Sequence, residues 1–379
     1  MSRHPTDPTS SLTQIGPRQR AVLASAALLS LVLVGALLLP ERGDPDEGSL
    51  TPAAEPAYAP RAEIERALAE EGQVRCAVFE EQRYCLGIGW TTRTAAEEQA
   101  RITTERAGRR RAVETTGDLT TSDLLAQRAA MPTAQREEAE RAELEEAARS
   151  VAKVVMLRHE ILGEPLPDGF SERHPQARAA ATSAAAKGFK DYPRRDTVLN
   201  PKHIRAQRRT YWCGPGTMQS IAWGWQKQRK TQQHWARRLG TTTSGSAISE
   251  MVRVVNGSTG YDRADRAGKY VVLDISDWKF KQWMLLQLRH VHDYRAPLVL
   301  HPILLKKFYP YLDDDASGHF QVGRGYDKNG RKPGLIGYFE PWNQQRFDPS
   351  EPYIARVQWR RAYNSFRANK AHPHQNIGV

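Results

Sequence analysis

A chain of 379 residues, 40% hydrophobic and 26% charged, can hold one sizeable domain with smaller pieces around it, and a mean hydropathy of −0.63 keeps much of it solvated. Its 55 Lys and Arg against 43 Asp and Glu give a formal charge of +12, which raises nucleic acid as a partner. No zinc-finger spacing, helix-turn-helix signature or glycine-rich phosphate loop is present, so nucleic acid is not expected; the charge reads as a solvated arginine-rich surface among other anions, such as lipid headgroups or wall polymers.

In chain order, residues 1–20 form a short polar tail. Ala21–Pro40 carries no charge and is long enough to span a bilayer. Arg18 and Arg20 precede it and Glu41, Asp44, Asp46 and Glu47 follow, so the positive-inside rule leaves the tail in the cytoplasm and everything after residue 40 outside. Two readings stay open: an uncleaved single-pass anchor, favoured by the length of the run, or a signal segment cleaved near Ala54 or Ala59 with a secreted product. Residues 41–62 read as a linker rich in Pro, Ala and acidic residues.

Residues 63–190 form an N-terminal region of unknown role: a prodomain over a cleft, a partner platform or a spacer. A short helix is expected at 62–68. Two alternating stretches around Cys76 and Cys85 fold as a hairpin, which sets the two cysteines opposite one another, where a disulfide is expected in an oxidising compartment. With no nearby histidine they cannot make a metal site, and none is expected. Residues 91–132 show weak periodicity and take no firm assignment. Dense helix formers over 132–162 predict a long charge-laced helix docked at its far end, where Val151, Val154, Val155, Leu157 and Ile161 gather. Residues 163–190 read as a linker, and a second domain occupies 191–379. No internal repeat and no second hydrophobic span occur, which excludes a fused transporter.

Cys213 is the odd cysteine. It stands in Tyr211-Trp212-Cys213-Gly214-Pro215-Gly216, ahead of helix-compatible residues from Thr217 to Thr231. The N–H groups at a helix mouth favour thiolate over thiol, so this is where a sulfur nucleophile would be built. Such a nucleophile needs a base, a group that orients the base, and oxyanion donors. Gln207 is the candidate donor, together with the Cys213 N–H. The base comes from a strand-like run, Gly318-His319-Phe320-Gln321-Val322. Asn329-Gly330 signals a turn and Leu335–Trp342 a returning strand. Reflection about Asn329-Gly330 sets Glu340 beside His319, where its carboxylate would fix the ring. Lys332-Pro333 can shift that register, and Asn343 is the reserve orienting residue.

Gln207, TYWCGPGTMQS, GHFQVGRGYDKNG and YFEPWN together resemble the double-glycine-peptidase-like branch of the papain-like cysteine peptidases, which is similar to bacteriocin-leader processing domains. Residues 232–240, the Gly-containing loop at 242–246 and residues 247–256 resemble that branch's second helix, loop and third helix. The resemblance covers about 195–360 and none of 1–190. It implies an α+β papain-like fold, with the Cys on a helical half and the His on an antiparallel sheet. It implies Cys213 as nucleophile, His319 as base and Gln207 as oxyanion donor, with no cofactor. The branch's third residue is an Asp; Glu340 keeps the carboxylate and adds a methylene.

The resulting expectation is an exported, membrane-tethered bacterial cysteine peptidase that cleaves peptide or isopeptide bonds in a peptide or protein substrate through a thioester. A transpeptidase on the same site and an inactive extracellular binding module are the rivals. Asp313-Asp314-Asp315 lacks calcium-loop spacing and reads as an acidic loop. His290 and His292 flank a helix end without ligand partners. Trp212 and Trp342 are core residues or cleft lining. Oligomeric state is not legible.

Overall fold

The computed structural model describes residues 60–108, 117–175, 177, 187–310, 312, 315–328, 335–339, 356–369 and 375–379. The apolar run 21–40, the tail before it, Glu340, Asn343 and Trp342 lie outside these residues. Among the described residues no helix is long and apolar enough to cross a membrane.

Helix α1 (Arg61–Ala69) turns Ile64 and Ala67 inward. Strands β1 (Cys76–Phe79) and β2 (Gln82–Cys85) pair antiparallel, with Cys76 directly opposite Cys85 and the two sulfurs bonded. Gln82 belongs to the strand, so Glu80 and Glu81 alone make the turn, at φ 47° and 64°. Left-handed backbone suits a two-residue hairpin and strains a residue bearing Cβ. Glu80 is held there by Arg173 Nε at 2.8 Å and His174 Nε2 at 3.3 Å. Burial alone would raise its pKa, but these two partners outweigh burial and hold it below the usual carboxylate value. Reducing the disulfide releases only a short loop, so a loss of about 2–3 kcal/mol is expected, read as a lower urea midpoint with reductant or in Cys76→Ala/Cys85→Ala.

Strand β3 (Gly89–Thr91) continues this sheet. The unassigned stretch 91–132 contains α2 (Ala95–Gly108) and α3 (Thr121–Ala129), the second capped by Thr120, whose side chain accepts from Asp123 N. Helix α4 runs Thr133–Leu162 and stops at Gly163, left-handed at φ 79°. Its buried residues crowd its second half, as the sequence pattern predicts. The start of the expected 163–190 linker is docked structure: α5 (Phe170–Arg173) buries Phe170 at 2% exposure.

The C-terminal half adds β4 (Arg195–Thr197), α6 (Cys213–Gly224), α7 (Gln232–Arg238), α8 (Ile248–Asn256), β5 (Val272–Asp274), α9 (Phe280–His292), β6 (Leu298–Leu300), β7 (Gln321–Asp327), β8 (Leu335–Phe339), β9 (Arg356–Gln358), α10 (Trp359–Ala368) and β10 (Asn376–Gly378). The described strands make one sheet in the order β1-β2-β3-β5-β10-β6-β7-β8-β9, with β4 also on β7. All the pairings are antiparallel except β3 with β5, which joins the N-terminal region to the second half through Trp90 and Leu273. A buried polar knot ties the same junction: the Thr91 hydroxyl, with one proton to give, lies 2.7 Å from Glu98 Oε1 and 3.0 Å from Asp274 Oδ2, and Arg101 donates to both carboxylates.

Successive strand residues point to opposite faces. Leu273, Leu298, Leu300 and Ile377 pack with α4, α9 and α10, whereas Val272, Val299 and Val322 pack with α6 and α8. The result is a mixed α+β architecture with helices on both sides of a largely antiparallel sheet.

Lys153, on α4, lies over the rings of Tyr270 (5.2 Å) and Tyr294 (5.7 Å) and donates to Lys269 O at 3.1 Å. Burial of the ammonium lowers its pKa to about 7, although the residue is partly exposed. An unfolded Lys titrates near ~10.4, so between these values the unfolded chain binds the extra proton and stability rises with pH. Below pH 7 both states are protonated and the cost of the buried charge is fully present. Lys153→Met is expected to stabilise by on the order of 2 kcal/mol at pH 6, a figure discounted for partial exposure, and the gain should fade toward pH 10 in urea titrations.

Candidate active site

The loop ahead of α6 is fixed by amides from two directions. Gln232 Oε1 accepts from Arg208 N at 2.8 Å, and its Nε2 donates to Ala206 O at 2.6 Å. From inside the loop, Gln207 Nε2 donates to Arg209 O at 3.0 Å and Thr210 O at 2.9 Å. Those two carbonyls require the nitrogen on that side, so the proposed oxyanion donor here spends both its N–H bonds organising the loop.

Cys213 is the first residue of α6, four residues ahead of the predicted start. The helix ends at Gly224 instead of running on to Thr231, because Gln226 and Lys227 take left-handed backbone and Thr231 caps α7, accepting from His234 N. No acidic residue stands in the first turn of α6 to oppose a thiolate. The Cys213 side chain sits in an apolar cluster with Met218, Ile221, Met251, Phe320 and Val322.

One hydrogen bond brings the helix to the strand that follows His319. Thr217 Oγ1, one turn after Cys213, donates to Phe320 O at 2.9 Å. His319 itself precedes β7, and its backbone N–H donates to Pro302 O at 2.9 Å. Cys213, His319 and Gln207 all have 0% exposure, so the sulfur and the imidazole are buried from solvent in this conformation.

The returning strand forms, but not in the reflected register. Val322 pairs with Phe339, where reflection about Asn329-Gly330 gives Gly337, and the register shifts again between Gly323 and Gly325. The connection spans residues 328–334 rather than a two-residue turn, as the Lys332-Pro333 signal allows. The argument that set Glu340 opposite His319 therefore loses its geometric footing, and both Glu340 and Asn343 lie outside the described residues. Trp212 is buried at 7% exposure with the Arg209 guanidinium 5.0 Å from its ring, a packing residue in this conformation. His290 and His292 occupy the end of α9; His292 pairs with Asp196 at 2.6 Å. Asp315 accepts from Lys306 N at 2.7 Å.

Several neighbours of the site escaped sequence reasoning. Ser246 abuts Gly214, where a Cβ would collide with the serine side chain. His301 lies against Phe320 with ring centroids 4.4 Å apart, and its Nε2 is 3.2 Å from Asp118 Oδ2. Asp118 also receives Ser317 Oγ at 3.5 Å, two residues before His319. Asp118 belongs to a region with no periodic signal, and only the fold brings it here.

Compared with known proteins, residues 199–370 match the model described as the Peptidase_C39 like family, which supports a papain-like, C39-type cysteine peptidase domain over that stretch. No curated protein and no solved structure matches the chain.

Proposed function

We propose that the chain is an exported, membrane-tethered cysteine peptidase-type hydrolase acting on peptide or isopeptide bonds. The observation that carries this reading is the Thr217–Phe320 hydrogen bond, which ties the helix opened by Cys213 to the residue that follows His319, just ahead of β7. The Cys213 thiolate attacks the amide carbonyl. A thioester forms and His319 protonates the departing amine. His319 then takes a proton from water, which releases the acid. The Cys213 N–H and one N–H of Gln207, exchanged from a loop carbonyl, hold the oxyanion. Glu340 orients His319, with Asn343 as the alternative. The double-glycine-peptidase-like branch is the proposed affiliation. Residues 21–40 serve as the anchor, and the Cys76–Cys85 bond supports an oxidising location.

The sealing of Cys213 and His319 from solvent favours one second reading, in which water is excluded and the thioester passes to an amine. Adding a primary amine and analysing the products by mass separates hydrolysis from transfer.

The reading is tested by labelling residues 41–379 with an electrophile directed at cysteine peptidases and mapping the adduct. Selective labelling of Cys213 that falls by about 100-fold or more in His319→Ala is the expected result. Equal labelling of both proteins removes the catalytic pair.

A further inference from the structure

The family match begins at residue 199, yet a tripeptide far upstream touches both the loop before Cys213 and the loop before His319. Gly117–Leu119 runs beside Ser246 as a parallel bridge: Leu119 N donates to Ser246 O at 2.8 Å and Ser246 N donates to Gly117 O at 2.9 Å. Ser246 is the residue packed on Gly214, next to Cys213. Gly117, at φ 103°, lies so close to Tyr211, two residues before Cys213, that a Cβ would overlap the Tyr211 carbonyl. On the other side, the Asp118 carboxylate reaches Ser317 Oγ and His301 Nε2, and it fills the space a Cβ on Gly318 would need, one residue before His319.

The anchorage of Asp118 is itself buried. His301 Nδ1 meets Asn376 Oδ1 at 2.7 Å, and Asn369 Nδ2 donates to the carbonyls of His301 and Pro302, the second of which also receives the His319 N–H. Asp118 has 8% exposure, His301 1%, Asn369 0% and Asn376 1%. A carboxylate taken out of water at a junction of three loops holds them in one arrangement only while its partners stay in place.

We infer that Asp118 is a positioning residue for His319, and that Gly117–Leu119 clamps the Cys213 loop and the His319 loop at one spacing. The inference rests on the peptidase reading and deepens it: the catalytic pair is completed from outside the stretch that matches the family. The clamp works by shape. A residue that keeps the volume of Asp118 and its contact with Ser317 should preserve the pair, and one that empties the space should let the His319 loop drift from Cys213.

The test uses the full chain and iodoacetamide, with Cys213 adducts quantified by mass from pH 5 to 9. On the peptidase reading, the wild-type sulfur should show an acid limb of reactivity below the range of an ordinary thiol. Asp118→Ala should lose that acid limb and react at least about tenfold slower at pH 6, approaching an ordinary thiol of pKa ~8.5. Asp118→Asn should keep the limb and stay within about threefold of wild type, since the amide preserves the shape. Ser317→Ala cuts the same contact from the other end and is read the same way should Asp118→Ala not fold. An Asp118→Ala or Ser317→Ala profile identical to wild type overturns the inference. So does a slower rate in Asp118→Ala and Asp118→Asn alike with the acid limb unmoved, because that pattern marks a general loss of stability. His319→Ala keeps the two layers apart: if it too leaves the acid limb unchanged, the peptidase reading has failed, whereas a limb lost in His319→Ala and retained in Asp118→Ala defeats the clamp alone.

Discussion

Cys213→Ala is expected to lower turnover by about 10⁵-fold or more on any peptide that the wild type cleaves from a library, while melting within a few degrees of the wild type. Without the sulfur no thioester can form, and only binding and oxyanion donors remain. The small effect on stability follows from the cluster around it. The side chain belongs to a buried apolar cluster that includes Met218, Ile221, Met251 and Phe320, so alanine is expected to leave a small apolar cavity at a cost of about 1 kcal/mol. Serine is the poorer control, because it puts a hydroxyl among those side chains. Single-turnover rates and a thermal melt on the same preparation give the answer; an alanine variant retaining a tenth of the rate would mean that the chemistry lies elsewhere.

Gly318→Ala is expected to cost both stability and rate, by about 2–3 kcal/mol and about 100-fold. A Cβ there overlaps the Asp118 carboxylate and comes within 3.0 Å of Asn369 Nδ2. The backbone cannot step aside, because Gly318 bridges to Ile303 and His319 N is bonded to Pro302 O. Relief must either displace the Asp118 carboxylate from Ser317 and His301 or move the residue that carries the imidazole. Urea unfolding and kcat/KM measured together check this, and an alanine variant with full activity would show that the loop is free to give way.

What could be read from the sequence was local. Cys76 and Cys85 pair because two short alternating stretches separated by a turn leave little choice of partner, and α4 announces itself through thirty residues of helix formers with its apolar positions gathered late. Cys213 at a helix start was visible in the same way, since a helix mouth is a property of adjacent residues. The β7–β8 register was not, because a turn signal gives the centre of a hairpin only when the loop is two residues long. Nor was the clamp. Asp118 reaches Ser317 across 199 residues of chain, and nothing in its own neighbourhood marks it. The start of the expected linker departed from that reading for a related reason: Phe170 stands in a Pro- and Gly-bearing stretch without apolar periodicity, and only the fold shows that a hydrophobic floor waits for it.

The last described strand in sequence, Asn376–Gly378, lies between β5 and β6 in the middle of the sheet. Its neighbours lie far upstream, at Val272–Asp274 and Leu298–Leu300, and among the described strands the N-terminal hairpin reaches the rest of the sheet through β5. The two wings of the sheet meet on a strand whose partners lie far upstream, so this pairing is expected to form late in folding. Loops that long close slowly. Asn376 also meets His301, whose other ring nitrogen faces Asp118, so the strand at the middle of the sheet and the clamp beside His319 share one side chain.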